Sequence, residues 1–122
     1  ISDNRICKIM KYEIDAKNKI LGRLASEIAG ILLGKNKASY NPRLAGDNDV
    51  LVKNAGKIEV SGRKAKQKVY YHHTGYIGHL KEIKYEALFQ KDPAKVLKGA
   101  VRKMLPHNRL RALRLRRLII EK

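Results

Sequence analysis

Val50, Leu51 and Val52 stand together with no polar residue between them. A strand with one solvated face alternates apolar and polar residues, whereas a continuous apolar run suits a strand covered on both faces, as in parallel sheets. The clearest helix lies upstream of this run. Leu21, Leu24, Ala25, Ile28, Ile31 and Leu32 recur at helical spacing and form one apolar stripe. Gly34 is the expected C-cap, and Lys35 and Lys37 place positive charge beyond the helix end, where the helix dipole favours it. A short strand is predicted over residues 12–16, before the polar turn Lys17-Asn18-Lys19.

Residues 39–48 hold Asn41-Pro42 and Gly46-Asp47-Asn48 and read as loop. The apolar run makes a strand of residues 49–54, and Ala55-Gly56 turns the chain. Residues 57–61 alternate, with Ile58 and Val60 facing one way. Residues 62–68 read as a basic loop, residues 69–73 are β-prone, and residues 74–78 are a glycine-punctuated loop. A helix is predicted over residues 85–91. Asp92 followed by Pro93 signals a further helix start, an N-cap and then proline at the first helical position. Val96, Leu97, Ala100, Val101, Met104 and Leu105 share one face of that helix, and Pro106 stops it. Asn108 is expected to cap a short helix over residues 109–117, and Leu118-Ile119-Ile120 to close the chain as a strand. Strands alternating with helices argue for an α/β fold with a mostly parallel sheet. A length of 122 residues suggests one domain. Met10-Lys11-Tyr12-Glu13 reads like a natural start, so residues 1–11 are expected to be an N-terminal extension to a domain over residues 12–120.

Charge narrows the function. The sequence has 28 Lys and Arg against 11 Asp and Glu, a formal net charge of +17. Like charges repel and destabilise a compact state, and a polyanionic partner removes the penalty. Nucleic acid leads, because each neutralised phosphate releases condensed counterions. No run approaches the roughly 18 apolar residues of a membrane-spanning helix, and no membrane partner is expected. The only cysteine, Cys7, cannot form an internal disulfide, which suits a reducing compartment.

Two stretches concentrate the charge. Residues 95–117 carry nine Lys or Arg and no Asp or Glu, and the later part favours Arg, whose planar fork binds phosphate in bidentate fashion and stacks on bases. Arg114 and Arg116 are read as exposed helix charges whose reversal leaves folding intact. The second stretch interleaves Arg63, Lys64, Lys66 and Lys68 with Tyr70, Tyr71, His72, His73 and Tyr76. Rings beside cations suit RNA, since tyrosine and histidine stack on unpaired bases while cations hold the backbone. Each tyrosine is equally readable as sheet packing, and Gly75 and Gly78 equally as ordinary turn residues or as points of close approach to RNA.

Catalytic and cofactor chemistry is not expected. His72 and His73 are adjacent on a predicted strand and therefore point to opposite faces. With a single distant cysteine and no repeated ligand spacing, no metal is expected. The run from Gly30 to Lys35 has one residue too few between its glycines for a phosphate-binding loop and lies in the helix stripe. No carboxylate cluster supports a metal-dependent nuclease.

Several segments carry a family resemblance. Asp15-Ala16 followed by Leu21-Gly22-Arg23-Leu24-Ala25-Ser26 resembles the opening of the L-thirteen family of large-subunit ribosomal proteins. Gly34-Lys35-Asn36-Lys37, Tyr40-Asn41-Pro42, Asn54-Ala55 and Val60-Ser61-Gly62 follow in family order. The segment Lys68-Val69-Tyr70-Tyr71-His72-His73-Thr74-Gly75-Tyr76 and the later Met104-Leu105-Pro106-His107-Asn108 are similar to its two signatures. Lys11 stands where the family usually has tryptophan. The style is bacterial or organellar. The resemblance implies a three-layer α/β/α fold around a four-stranded, largely parallel sheet. It also implies a non-catalytic role, without cofactor or small-molecule substrate. The place of work would be the ribosome, in the bacterial cytoplasm or an organelle. Large-subunit ribosomal RNA and neighbouring ribosomal proteins would be the partners, with binding mainly to RNA backbone and shape. By position it places Lys35, Lys37, Arg63, Lys64, Lys68, Tyr70, Tyr71, His72, His73, Thr74 and Gly75 on the RNA. Arg102, Lys103, His107, Asn108, Arg109, Arg111, Arg114, Arg116 and Arg117 would join them.

Overall fold

The computed structural model describes residues 10–122. Cys7 and the rest of the expected extension before Met10 lie outside the described residues. Strand β1 (Met10–Asp15) starts two residues earlier than expected, so Met10 and Lys11 belong to the sheet. Helix α1 (Leu21–Leu33) comes next and leads to β2 (Asn48–Lys53). The two strands pair in parallel, with Tyr12 opposite Val50 and Ile14 opposite Val52. The last strand, β5 (Leu118–Ile120), pairs in parallel with β2, and the sheet order is β1-β2-β5.

This register places Ile14, Val50, Val52 and Leu118 on one face, where all four are buried. Helix α1 packs there and buries Leu21, Leu24, Ala25, Ile28, Ala29, Leu32 and Leu33. That is more than one stripe, because a second helix, over residues 93–104, also packs against α1. Gly34 ends α1 in the left-handed conformation, and its N–H reaches the Gly30 and Ile31 carbonyls.

Among the described residues, side chains on the opposite face of the sheet are largely exposed. Lys11, Glu13 and Lys53 are exposed there, Lys53 Nζ lies 3.2 Å from Glu13 Oε2, and Ile119 is 56% exposed. Leu51 is half-buried, so the apolar run is fully covered on one side only.

The fourth expected parallel strand is a single bridge between Ile20 and Glu59. Asn54 adopts a left-handed conformation and Ala55–Lys57 form a 3-10 turn, which uses up residues that would have extended the pairing. The segment after this turn caps α1 instead: Leu21 N–H donates to Glu59 O at 2.9 Å, and Glu59 N–H donates to Lys19 O at 3.0 Å. These bonds satisfy the helix start, where Ile20 offers no capping side chain.

The remaining elements form the other half of the chain. The expected basic loop contains a one-turn helix, α2 (Lys64–Gln67). Strand β3 (Val69–His73) pairs antiparallel with β4 (Leu80–Lys84), a strand that the sequence pattern does not predict. Helices α3 (Tyr85–Lys91) and α4 (Pro93–Met104) come after the hairpin. Asp92 caps α4 as expected, accepting from Lys95 N–H, with Pro93 inside the first turn. Helix α4 packs on α1 and buries Val96, Leu97 and Val101. Helix α5 (Leu110–Arg116) leads into β5. Asn108 does not cap it through its side chain; its carbonyl accepts from Arg111 N–H. The described structure is therefore an α/β fold with a three-stranded parallel sheet and a separate antiparallel pair.

Candidate nucleic-acid interface

The β3–β4 hairpin leaves the core almost at once. Val69 and Tyr70 are half-buried, and from Tyr71 through Lys84 every strand residue is exposed. Its turn is fixed locally. Thr74 N–H and Oγ1 both donate to His79 O, and Gly75 N–H donates to His73 Nδ1 at 3.0 Å. Gly75 and Gly78 have φ of +89° and +77°, so turn geometry alone requires glycine there. His73 is thus a turn residue whose Nδ1 is occupied as an acceptor.

Pairing places Tyr70 opposite Ile83 and His72 opposite Lys81, so these four share one face of the hairpin. That face meets α4 and α5 across a cleft of about 850 Å³. Lys81, Lys95, Lys98, Arg102, Lys103, Arg109 and Arg111 all line it, and among the described residues no carboxylate does. Six of these seven cations come from the stretch over residues 95–117 and one, Lys81, from β4, while the stretch over residues 63–76 contributes Tyr70 and His72. Among the described residues the ion pairs are Lys19–Glu27 and Lys53–Glu13, and neither touches this cleft. Its charge is uncompensated from within the described residues.

The expected site residues divide. Tyr70, His72, Arg102, Lys103, Asn108, Arg109 and Arg111 line the cleft. His107 sits beside it, its Nδ1 3.0 Å from Arg111 Nη1. Lys64 and Lys68 join Lys103 and Arg23 around an adjoining hollow of about 400 Å³. Burial, and then the charges of Lys103 and Lys64, push the Lys68 ammonium below the ordinary lysine range. Arg63 and Arg116 are outside both hollows, as are Tyr71, His73, Thr74 and Gly75 toward the other side and tip of the hairpin. Lys35 and Lys37 lie past the end of α1, and Lys37 faces a small pocket beside Tyr40 and Asn48, apart from the cleft.

The ring of Tyr70 is already engaged. Lys68 Nζ lies 5.3 Å and Lys103 Nζ 5.4 Å from its centroid, within cation–π range. Burial holds its phenol above the ordinary tyrosine value, so it stays neutral and able to donate. Tyr71 and Tyr76 present open rings, exposed by 63% and 74%.

Arg114 is not the exposed helix charge expected, and Arg117 lies half-buried beside the same loop. Arg114 is 1% exposed, and its guanidinium donates from Nη2 to Leu44 O at 3.0 Å and from Nε to Ala45 O at 3.5 Å. Arg117 Nη1 donates to Ala45 O at 3.1 Å. Both pin the loop between α1 and β2. Burial lowers the Arg114 pKa, though an arginine remains charged. Gly46 completes the clamp: a Cβ there would come 3.3 Å from Leu32 O, so glycine lets the loop lie against the end of α1.

Lys81, Ile83 and Leu88 are site residues that the sequence pattern does not single out. For Lys81 and Ile83 the signal available is position, a short stretch closely following the glycines at 75 and 78, while Leu88 carries none. Among the described residues, no group of three or more His, Cys, Asp or Glu is placed to hold a metal ion, and no helix is long and apolar enough to cross a membrane.

Fold and site together define a small α/β protein built around an unneutralised cationic cleft. The profile of the family Ribosomal protein L13 matches residues 10–120. The large ribosomal subunit protein uL13 of Chloroflexus aggregans is 50% identical over 81% of this chain and 69% of its own length. The proteins of the same name from Rubrobacter xylanophilus and Clostridioides difficile are each 50% identical, over 89% and 88% of this chain and 76% and 75% of their own lengths. The chain belongs to the ribosomal protein L13 family.

Proposed function

We propose that this protein is a structural, non-catalytic constituent of the large ribosomal subunit that holds large-subunit ribosomal RNA on the flank formed by β3, β4, α4 and α5. It works on a ribosome of bacterial or organellar type, beside neighbouring ribosomal proteins. The observation that carries this reading is the cleft itself, where seven cations converge without one carboxylate. Arg102, Lys103, Arg109 and Arg111 hold phosphates there, with His107 orienting Arg111. Lys64 and Lys68 extend the phosphate track along α2, and Arg63, Arg116, Lys35 and Lys37 add outlying contacts. Tyr71 and Tyr76 stack on unpaired bases, since their rings are exposed. The isolated hairpin supports the same reading, because a two-stranded ribbon with both faces in water is marginally stable and gains order from a partner.

Filter binding to large-subunit ribosomal RNA and to duplex DNA of matched length tests this. With about 6–10 phosphates engaged, affinity falls by roughly 10³–10⁵ between 50 and 200 mM salt. The expected result is a preference for the ribosomal RNA of about a hundredfold or more at the higher salt, as folded-site recognition requires. Equal binding to both would mean that net charge alone acts.

A further inference from the structure

We propose that the cleft between the hairpin, α4 and α5 seats one unstacked nucleotide of the bound RNA, with its base on an apolar floor and the flanking phosphates on the cationic rim. The inference rests on the RNA-binding reading above and gives it a specific ligand subsite. Phosphates alone do not account for the shape of the cleft. At about 850 Å³ it falls within the range of small-molecule pockets, roughly 300–1,000 Å³. Ile83, Leu88, Val96 and Leu115 line it together with the cations. Val96 belongs to the core, and Leu88 and Leu115 pack against it, so the floor is continuous with the protein interior. An RNA backbone gains nothing by covering such a floor, and an aliphatic ligand would leave the rim of Lys98, Arg102, Arg109 and Arg111 unpaired. An unstacked nucleotide satisfies both, having a flat apolar base and anionic phosphates on either side. Asn108 and His72 on the same lining supply an amide and an imidazole for the base edge.

Gly99 gives independent support. It lies inside α4, where glycine costs roughly 0.5–1 kcal/mol relative to alanine. Its φ is not positive, and a Cβ there would meet nothing within 4 Å. Neither backbone conformation nor close packing asks for glycine. What Gly99 provides is open space on the cleft wall.

The substitution Gly99→Leu tests this by filling the space while keeping every cation. Leucine is the better helix former, so the thermal midpoint should hold or rise. The probes are a fully paired RNA stem and the same stem with a bulge of unpaired nucleotides. For the parent protein the bulged stem should bind about tenfold or more tighter, the size of one base stack. Gly99→Leu should bring the preference within about twofold, while affinity for the paired stem and the salt slope stay unchanged. No preference in the parent protein, or a preference that survives Gly99→Leu in a folded protein, overturns the subsite and leaves the general RNA reading standing. Failure of either stem to bind better than duplex DNA would overturn both.

Discussion

In the parallel sheet, β2 buries Asn48, Val50 and Val52 against the helices; in the β3–β4 hairpin, no side chain is buried. The first β-structure is completed by its own chain. The second ends in water, with Ile77 fully exposed at its tip and Tyr71 and Tyr76 mostly so. The same division runs through α5. Arg114, together with Arg117 just beyond the helix, turns inward to the carbonyls of Leu44 and Ala45, while Arg111 and the preceding Arg109 turn to the cleft. Residue type does not separate these arginines. What separates them is whether the carbonyls of the loop before β2 lie within reach.

The contrast can be broken by substitutions on either side. Leu24→Ala truncates a side chain buried in the core, and should lower stability by about 2–5 kcal/mol in urea unfolding. RNA affinity of the folded fraction should not change. Arg114→Ala should lower stability by about 2–4 kcal/mol, since it empties a buried volume and removes the donor to Leu44 O, while Ala45 O keeps its bond from Arg117. A loss below about 0.5 kcal/mol, the ordinary scatter for surface sites, would return Arg114 to the surface.

Across the divide, Tyr71→Ala should leave stability within about 0.5 kcal/mol, as for other exposed positions. RNA affinity should drop by about 1–3 kcal/mol, measured by filter binding, if its ring stacks on a base.

The smallest effect concerns the end of β1. Asp15 is held below the ordinary aspartate range, first by the Asn54 amide at 2.9 Å and then by Lys17 N–H at 3.0 Å. A lowered folded pKa means that the unfolded chain binds the proton more readily, so this contribution is full above the ordinary value of about 3.9 and fades as pH falls through the folded value. Asp15→Asn should therefore be the less stable protein at neutral pH, and the gap should close in acid. A gap that is the same at every pH would mean that the carboxylate charge plays no part.

The sequence discloses elements whose signals are local. The stripe from Leu21 to Leu32 and the Asp92-Pro93 start need only neighbours along the chain, and both elements form where the pattern places them. The inward turn of Arg114 depends on carbonyls of a distant loop, and nothing near residue 114 announces it. Strand β4 escapes because both its faces are exposed, which removes the burial that makes alternation legible. Ile58 and Val60 alternate as a strand should, yet the 3-10 turn before them leaves one bridge with Ile20. The cations of residues 95–117 are visible as charge, while the cleft they share with Tyr70, His72 and Lys81 is not, since that depends on β4 folding back.

The most direct measurement is the salt dependence of ribosomal RNA binding for the combined variant Arg102→Gln, Arg109→Gln and Arg111→Gln. If these three hold phosphates in the cleft, the plot of log affinity against log salt should become shallower by about 2, while the stability measured in urea changes by less than about 0.5 kcal/mol. An unchanged slope in a folded variant would contradict the account and place the RNA on another face of the protein.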